Sequence, residues 1–166
     1  MKKNNSGITL MVLIITIIVL IIIASISVYE GKELIVKSKI NTIKTNMLTI
    51  QAKAKSYAEE IDVKIWAESD KDTKRDTEFS GKGFVNPSNN INSNYINTNI
   101  INSSNYIAYI ISSEGLSSMG LDEIKNEQYM VIYDKDNLKN VDVIYPEGIK
   151  YKNNTYYTLS SIQEVL

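Results

Sequence analysis

ITLMVLIITIIVLIIIASISV, the stretch from Ile8 to Val28, holds 21 residues without a charge, and its only polar side chains are Thr9, Thr16, Ser25 and Ser27. Coiled as a helix at about 1.5 Å per residue it measures ~31 Å, which matches the ~30 Å hydrocarbon core of a bilayer. It is long enough to span a membrane once. The hydroxyls do not spoil that reading, because Ser and Thr inside a helix donate back to a carbonyl one turn earlier. Ahead of it lies a polar leader, Met1 to Gly7, with Lys2 and Lys3 as its charges and Ser6-Gly7 as its last two residues.

Three fates are open to such a segment. In an ordinary secretory signal a short apolar run is followed by a small-x-small cleavage site, here Ser25-Ile26-Ser27, and the body leaves in soluble form. In an uncleaved single-pass anchor the apolar run and the lysine pair suffice. In the third the cut falls before the run, after Gly7, and the apolar helix is kept.

Past the run, the helix is expected to continue. Val36, Ile40, Ile43, Met47, Ile50, Ala54, Tyr57 and Ile61 follow one another at steps of three or four, an apolar stripe on one helix face. No proline interrupts it, and Gly31 costs only about 1 kcal/mol against alanine. The rod from Ile8 to Ile61 would then be ~81 Å long, apolar all round in its first half and amphipathic in its second. Such a stripe suits packing on a soluble head or, alternatively, a juxtamembrane coiled coil.

The chain has 166 residues, 18 Lys+Arg against 19 Asp+Glu, and neither His nor Cys. Without cysteine there are no disulfides, thiolate nucleophiles or cysteine zinc sites; without histidine the usual base near neutral pH is missing. No nucleophile-base constellation and no phosphate-cradling glycine loop occurs, so the expectation is a non-enzyme without cofactor. Charge is segregated along the rod. Six lysines stand between Lys32 and Lys55 against Glu33 alone, whereas Glu59 to Glu78 holds eight acids against four bases. These lysines could face solvent, anionic lipid or the acidic stretch of a neighbouring copy. No aromatic residue interleaves with them, which argues against nucleic acid as a partner.

From 67 to 105 the pattern breaks down into a polar loop with room for one short irregular strand, and Asn86 to Asn105 contains nine asparagines. Ile91, Ile96, Ile100 and Ile101 argue that part of it docks on the body; otherwise it is disordered. From 106 to 166 the chain reads as folded: an apolar element from Tyr106 to Ser113, a helical turn at Leu121 to Lys125, and strands at Gln128 to Asp134, Val141 to Tyr145, Gly148 to Lys152 and Thr155 to Leu159. Lys152-Asn153-Asn154-Thr155 supplies hairpin turn residues, Pro146 and Gly148 break the chain between two strands, and Ser160-Ser161-Ile162-Gln163 has capping-box spacing for a brief last helix. The expected fold class is α+β: one long helix, membrane half then amphipathic half, on a small antiparallel sheet. Its divisions are 1–7 (leader), 8–28 (apolar helix), 29–66 (amphipathic helix), 67–105 (loop) and 106–166 (sheet). Asp134, Asp136, Asn137 and Asp142 crowd a turn between two strands, a weak calcium candidate beside the simpler reading of an ordinary acidic turn, because the run lacks the glycine and distal glutamate of a loop-type calcium motif.

Lys2-Lys3-Asn4-Asn5-Ser6-Gly7, then Ile8-Thr9-Leu10-Met11-Val12-Leu13 and an unbroken apolar helix, resembles the start of type IV prepilins and type II secretion pseudopilins. The likeness is close over about 25 residues and vaguer through the later helix and the strands. It implies a pilin-like fold, cleavage by a prepilin peptidase between Gly7 and Ile8, methylation of the new Ile8 amine, and assembly into a filament through the N-terminal helix around Leu10, Val12 and Leu13. It also implies a head outside the cytoplasmic membrane with the leader inside, a membrane assembly platform, the lipid bilayer and other pilin subunits as partners, and an extracellular filament after assembly. One position departs from the family. The fifth mature residue is usually glutamate, and here it is Val12, which spares the helix a charge costing about 2.5 to 3.5 kcal/mol at mid-membrane but leaves the Ile8 ammonium without that acidic partner. A minor, tip-located subunit or a divergent branch fits this departure. The alternative function is an uncleaved, membrane-anchored extracellular binding protein.

Overall fold

A computed structural model describes residues 6–86, 91–92 and 95–165, with side chains described at 12–23 and, within those ranges, from 34 onward. The chain falls into two compact units, residues 1–41 and 42–166. Helix α1 (Ser6–Ile65) runs through both.

In the first unit, every residue from 12 to 23 is exposed, and eleven of these twelve are Val, Leu or Ile. The second unit is a mixed α+β body. After α1 come α2 (Lys71–Gly81), β1 (Phe84–Val85), β2 (Tyr106–Ile111), α3 (Ser113–Ser118), a 3₁₀ turn at Asp122–Ile124, β3 (Tyr129–Asp134), β4 (Val141–Tyr151), β5 (Asn154–Thr158) and α4 (Leu159–Gln163). The five strands form one antiparallel sheet in the order β1-β2-β3-β4-β5, a meander in which each strand pairs with its sequence neighbour.

The amphipathic stripe seats α1 on one face of this sheet. Ile43, Met47, Ile50, Ala54, Ala58, Ile61 and Ile65 are all buried. The Tyr133 hydroxyl donates to the Ala54 carbonyl at 3.2 Å and the Gln51 amide to the Val141 carbonyl at 2.8 Å, so in this unit the stripe packs on the chain's own sheet and not on a second helix. Val36, expected in the stripe, is 45% exposed, and the buried run starts at Ile40. Tyr57 is half-buried, while Ala58 and Ile65 join the stripe.

Among the described residues of 67–105, part of the expected loop is a helix and a short strand. Asp70 caps α2 by accepting from the Thr73 amide at 3.3 Å, and Phe79 is the one fully buried side chain of that helix. Its ring lies 4.7 Å from that of Tyr109, 5.1 Å from Tyr133 and 5.5 Å from Phe84, centroid to centroid, an aromatic nest between α2 and the sheet. Lys64 bridges Glu60 and Glu78 at 3.2 and 3.1 Å, and Lys82 reaches Glu60 at 2.9 Å. These bridges are exposed and worth little beside the burial of Phe79. Gly83 enters β1 at φ +82°, and a Cβ there would stand 2.5 Å from the Gly115 Cα at the start of α3. Both positions must be bare for the two backbones to meet.

The opposite face of the sheet is covered by the Asn-rich segment. Ile101 is fully buried with Ala108, Met130, Ile132 and Ile144, and Ile91, Tyr95, Ile96 and Ile100 pack around them. All six residues of β3 are therefore buried, as expected of a strand covered on both faces. The body has three layers: α1, sheet, and docked segment.

Two expectations are corrected near the last strands. Pro146 and Gly148 do not separate two strands; β4 is continuous, with a bulge between Ile144 and Ile149 where its register to β5 shifts. A proline is tolerated there because the bulge asks no ladder bond of it. The cap of α4 is Thr158, whose hydroxyl accepts from the Ser161 amide at 3.2 Å, two residues before the expected Ser160. The hairpin turn stands as expected: Lys152 and Asn153 take φ of 46° and 68°, the paired left-handed geometry of a two-residue turn.

Candidate functional site

The expected assembly segment begins with a linear motif. Gly7, Ile8 and Leu10 fall within α1, but the side chains of Ile8 and Leu10 lie outside the described residues, as do those of 24–28 at the far end of the apolar run. Val12 and Leu13 are described, and they are 54% and 56% exposed. Thr16, the one hydroxyl between 12 and 23, donates to the carbonyls of Leu13 at 2.8 Å and Val12 at 3.1 Å. Its polarity is spent within the helix, so the surface it offers outward is close to that of an aliphatic residue. Among the described residues no helix is long and apolar enough to cross a membrane.

The acidic turn is arranged for tying the chain together. Asp134 is buried; one carboxylate oxygen accepts from the amides of Asp136 at 2.8 Å and Asn137 at 3.3 Å, the other from the Asn102 amide at 3.1 Å. Asp136, exposed, accepts from the Asn105 side-chain amide at 2.7 Å. Asp142 points elsewhere. It is buried, opposite Ile132 in the β3–β4 register, and accepts from the Ser160 hydroxyl at 2.5 Å, the Ser160 amide at 3.2 Å and the Val143 amide at 2.9 Å. Burial pushes its pKa above the ordinary 3.8, while the donors of Ser160 and Val143 pull the other way. The three aspartates expected in one turn thus serve two separate hydrogen-bond sets, and among the described residues no three acidic, His or Cys side chains stand together as metal ligands.

These same carboxylates explain why the Asn-rich segment docks. Asn102 and Asn105 fasten one end of it to Asp134 and Asp136. Asn97 fastens the other by donating to the Ser160 hydroxyl at 2.9 Å, and through Ser160 to Asp142. The partners lie 31 to 63 residues away in sequence, so no local pattern announces them.

The buried tyrosines belong to the core. The Tyr109 hydroxyl donates to Asp76 at 2.6 Å, Tyr129 to Glu127 at 2.8 Å and Tyr145 to Glu147 at 2.8 Å. Burial first, then the neighbouring carboxylates, pushes all three phenols well above their usual range. They remain neutral donors.

Two surfaces were not singled out from the sequence. Val63 and Trp66, near the end of α1, are each 77% exposed. A cavity of about 260 Å³ beside β5 is lined by Ile96, Asn97, Tyr156 and Ser161 among others. Trp66 stands one residue past the end of α1, and its exposure leaves no local mark in sequence because burial depends on which elements arrive beside it. Compared with family models, curated proteins and solved structures, the chain finds no match.

Proposed function

We propose that this chain is a structural subunit of a type IV pilus-like or type II secretion-like filament, a minor pilin or pseudopilin. It is made as a precursor, cut between Gly7 and Ile8 and methylated on Ile8. The helix from Ile8 then holds it in the cytoplasmic membrane, head outside, until that helix slides into a bundle of its fellows. Its work is assembly and not catalysis.

One observation carries the reading: eleven exposed Val, Leu and Ile side chains within residues 12–23, on a helix that begins in the Gly7-Ile8-Thr9-Leu10 motif. So continuous an apolar surface is stable only against lipid or against other apolar helices. Its β-branched side chains lose little freedom when they pack, which favours helix bundling. Val12, uncharged where the family usually carries glutamate, removes one attachment to a neighbouring subunit and favours a subunit present in few copies.

Mass spectrometry of the protein made with its own processing enzymes tests this. A mature N-terminus at methylated Ile8 supports it. An intact Met1 would replace it with the uncleaved anchor, and a start at Val28 with a secreted body. Gly7→Leu should leave the precursor uncut.

A further inference from the structure

A cleft of about 260 Å³ opens where the docked Asn-rich segment meets the last strand. Ile96 and Asn97 line it from the segment, Thr155, Tyr157 and Thr158 from β5, and Ser161 from α4, and no residue of the lining is charged. Two other cavities of the body differ: both include Arg75 and Lys135, with Glu59 and Asp62 in one and Asp70 and Asp72 in the other. The volume lies just below the ~300 Å³ at which pockets for drug-sized ligands begin, so a guest here is small.

The lining is held in place before any guest arrives. The Tyr157 ring packs against that of Tyr95, 5.1 Å between centroids. Gly148, at φ +70°, leaves room for two of the lining side chains: a Cβ there would stand 2.5 Å from the Thr155 methyl group and 2.7 Å from the Tyr157 ring. Thr158 and Ser161 are bonded to each other, while Asn97 donates to Ser160 and accepts from the Asn99 amide. By contrast, the hydroxyls of Thr155 and Tyr157 form no hydrogen bond among the described residues.

We infer that this cleft binds the terminal, uncharged sugar of a glycan. A sugar ring pairs an apolar C–H face with a rim of hydroxyls that both donate and accept. The cleft offers the matching set: a tyrosine ring and Ile96 for the apolar face, and the hydroxyls of Thr155 and Tyr157, with the Asn97 amide, for the rim. A phosphate or carboxylate would find no cation in the lining, and an ammonium no carboxylate. A purely apolar guest would cover the two unused hydroxyls without giving them a partner. A peptide strand added to the edge of β5 is a poorer occupant, because that strand has five residues and its last, Thr158, is buried. The volume admits one ring, so a longer glycan enters by its end. The cleft belongs to the second unit alone and does not depend on the filament reading.

Saturation-transfer NMR on the full-length protein in a sugar-free zwitterionic detergent tests it, with the methyl glycosides of glucose, galactose, mannose and N-acetylglucosamine as probes. At least one should bind with a dissociation constant on the order of 1 mM, as expected of a single ring. N-acetylneuraminic acid, which carries a carboxylate, should bind about tenfold or more weakly by comparison. Thr155→Val with Tyr157→Phe removes only the two hydroxyls that the fold leaves unused, so the pair should keep the parent's thermal melt and weaken binding about fivefold or more. If the pair disturbs the melt, Thr155→Val alone, at an exposed position, should weaken binding about twofold. Absence of binding by all the glycosides at ~10 mM overturns the proposal, as does equal binding of N-acetylneuraminic acid or unchanged binding in the hydroxyl variants. Binding of a capped alternating threonine-valine peptide in place of the sugars assigns the edge to strand addition and overturns it too. Protein starting at Met1 or at Ile8 serves equally, so failure here leaves the filament reading intact.

Discussion

Ile17 and Ile50 are the same residue on the same helix, yet Ile17 is 47% exposed and Ile50 fully buried. Around Ile50 the apolar positions recur every three or four residues, and the chain's own sheet covers them. Around Ile17 they are continuous, which no single face of a folded head could use. The difference teaches that burial in α1 is decided by pattern and not by residue type. The second unit buries its own stripe, whereas residues 12–23 stay exposed in the chain by itself.

Substitutions separate these two conditions. The largest effect is expected in the self-completed region: Ile50→Ala should destabilise the body by about 2 to 5 kcal/mol, read from the midpoint of urea unfolding followed by near-UV circular dichroism of the buried tyrosines. Ile17→Ala should leave that midpoint within about 0.5 kcal/mol of the parent. If both shift it equally, the contrast is wrong. Val12→Lys should do the reverse, costing about 2.5 to 3.5 kcal/mol on membrane insertion and emptying the filament fraction on a blot, with an unchanged melt. Gly83→Ala should cost about 1 to 3 kcal/mol, because a methyl group there meets the Gly115 backbone and the residue must hold a positive φ. Asn97→Ala should cost about 0.5 to 1.5 kcal/mol and raise proteolysis within 91–101 before the rest of the body is cut.

The smallest effect lies in pH dependence. Burial holds the Asp142 pKa above its ordinary 3.8. A carboxyl raised in the fold binds its proton more tightly there than in the unfolded chain. Its contribution is therefore complete below pH 3.8 and is lost as pH climbs through the raised value. Asp142→Asn should flatten that part of the stability profile. An identical slope in the variant would show that other groups set it.

The regular parts of this body were legible because backbone geometry writes itself into sequence. The period of Ile43, Met47, Ile50 and Ala54 marks the helix face, and Asn153 marks a left-handed turn. Helix α2 was not legible: its eleven residues are almost all polar, and it is held by one buried ring, Phe79, whose partners Tyr109 and Tyr133 come from strands 30 or more residues later. The third layer was half legible. Its isoleucines suggested docking, but the bonds that hold it run from asparagines to Asp134, Asp136 and the Ser160–Asp142 pair, and such long-range polar contacts have no period. Of the candidate site, Gly7, Ile8 and Leu10 are a linear motif legible only through resemblance, whereas the exposure of residues 12–23 is read from the structure.

The touching backbones of Gly83 and Gly115 have a bearing on ancestry. Neither residue can acquire a carbon without moving the other, so the two positions, separated by 31 intervening residues, are expected to be constrained together. A distant cousin whose loops and charges have all drifted would still show two hydrogens at that crossing, and a search for kin could start there.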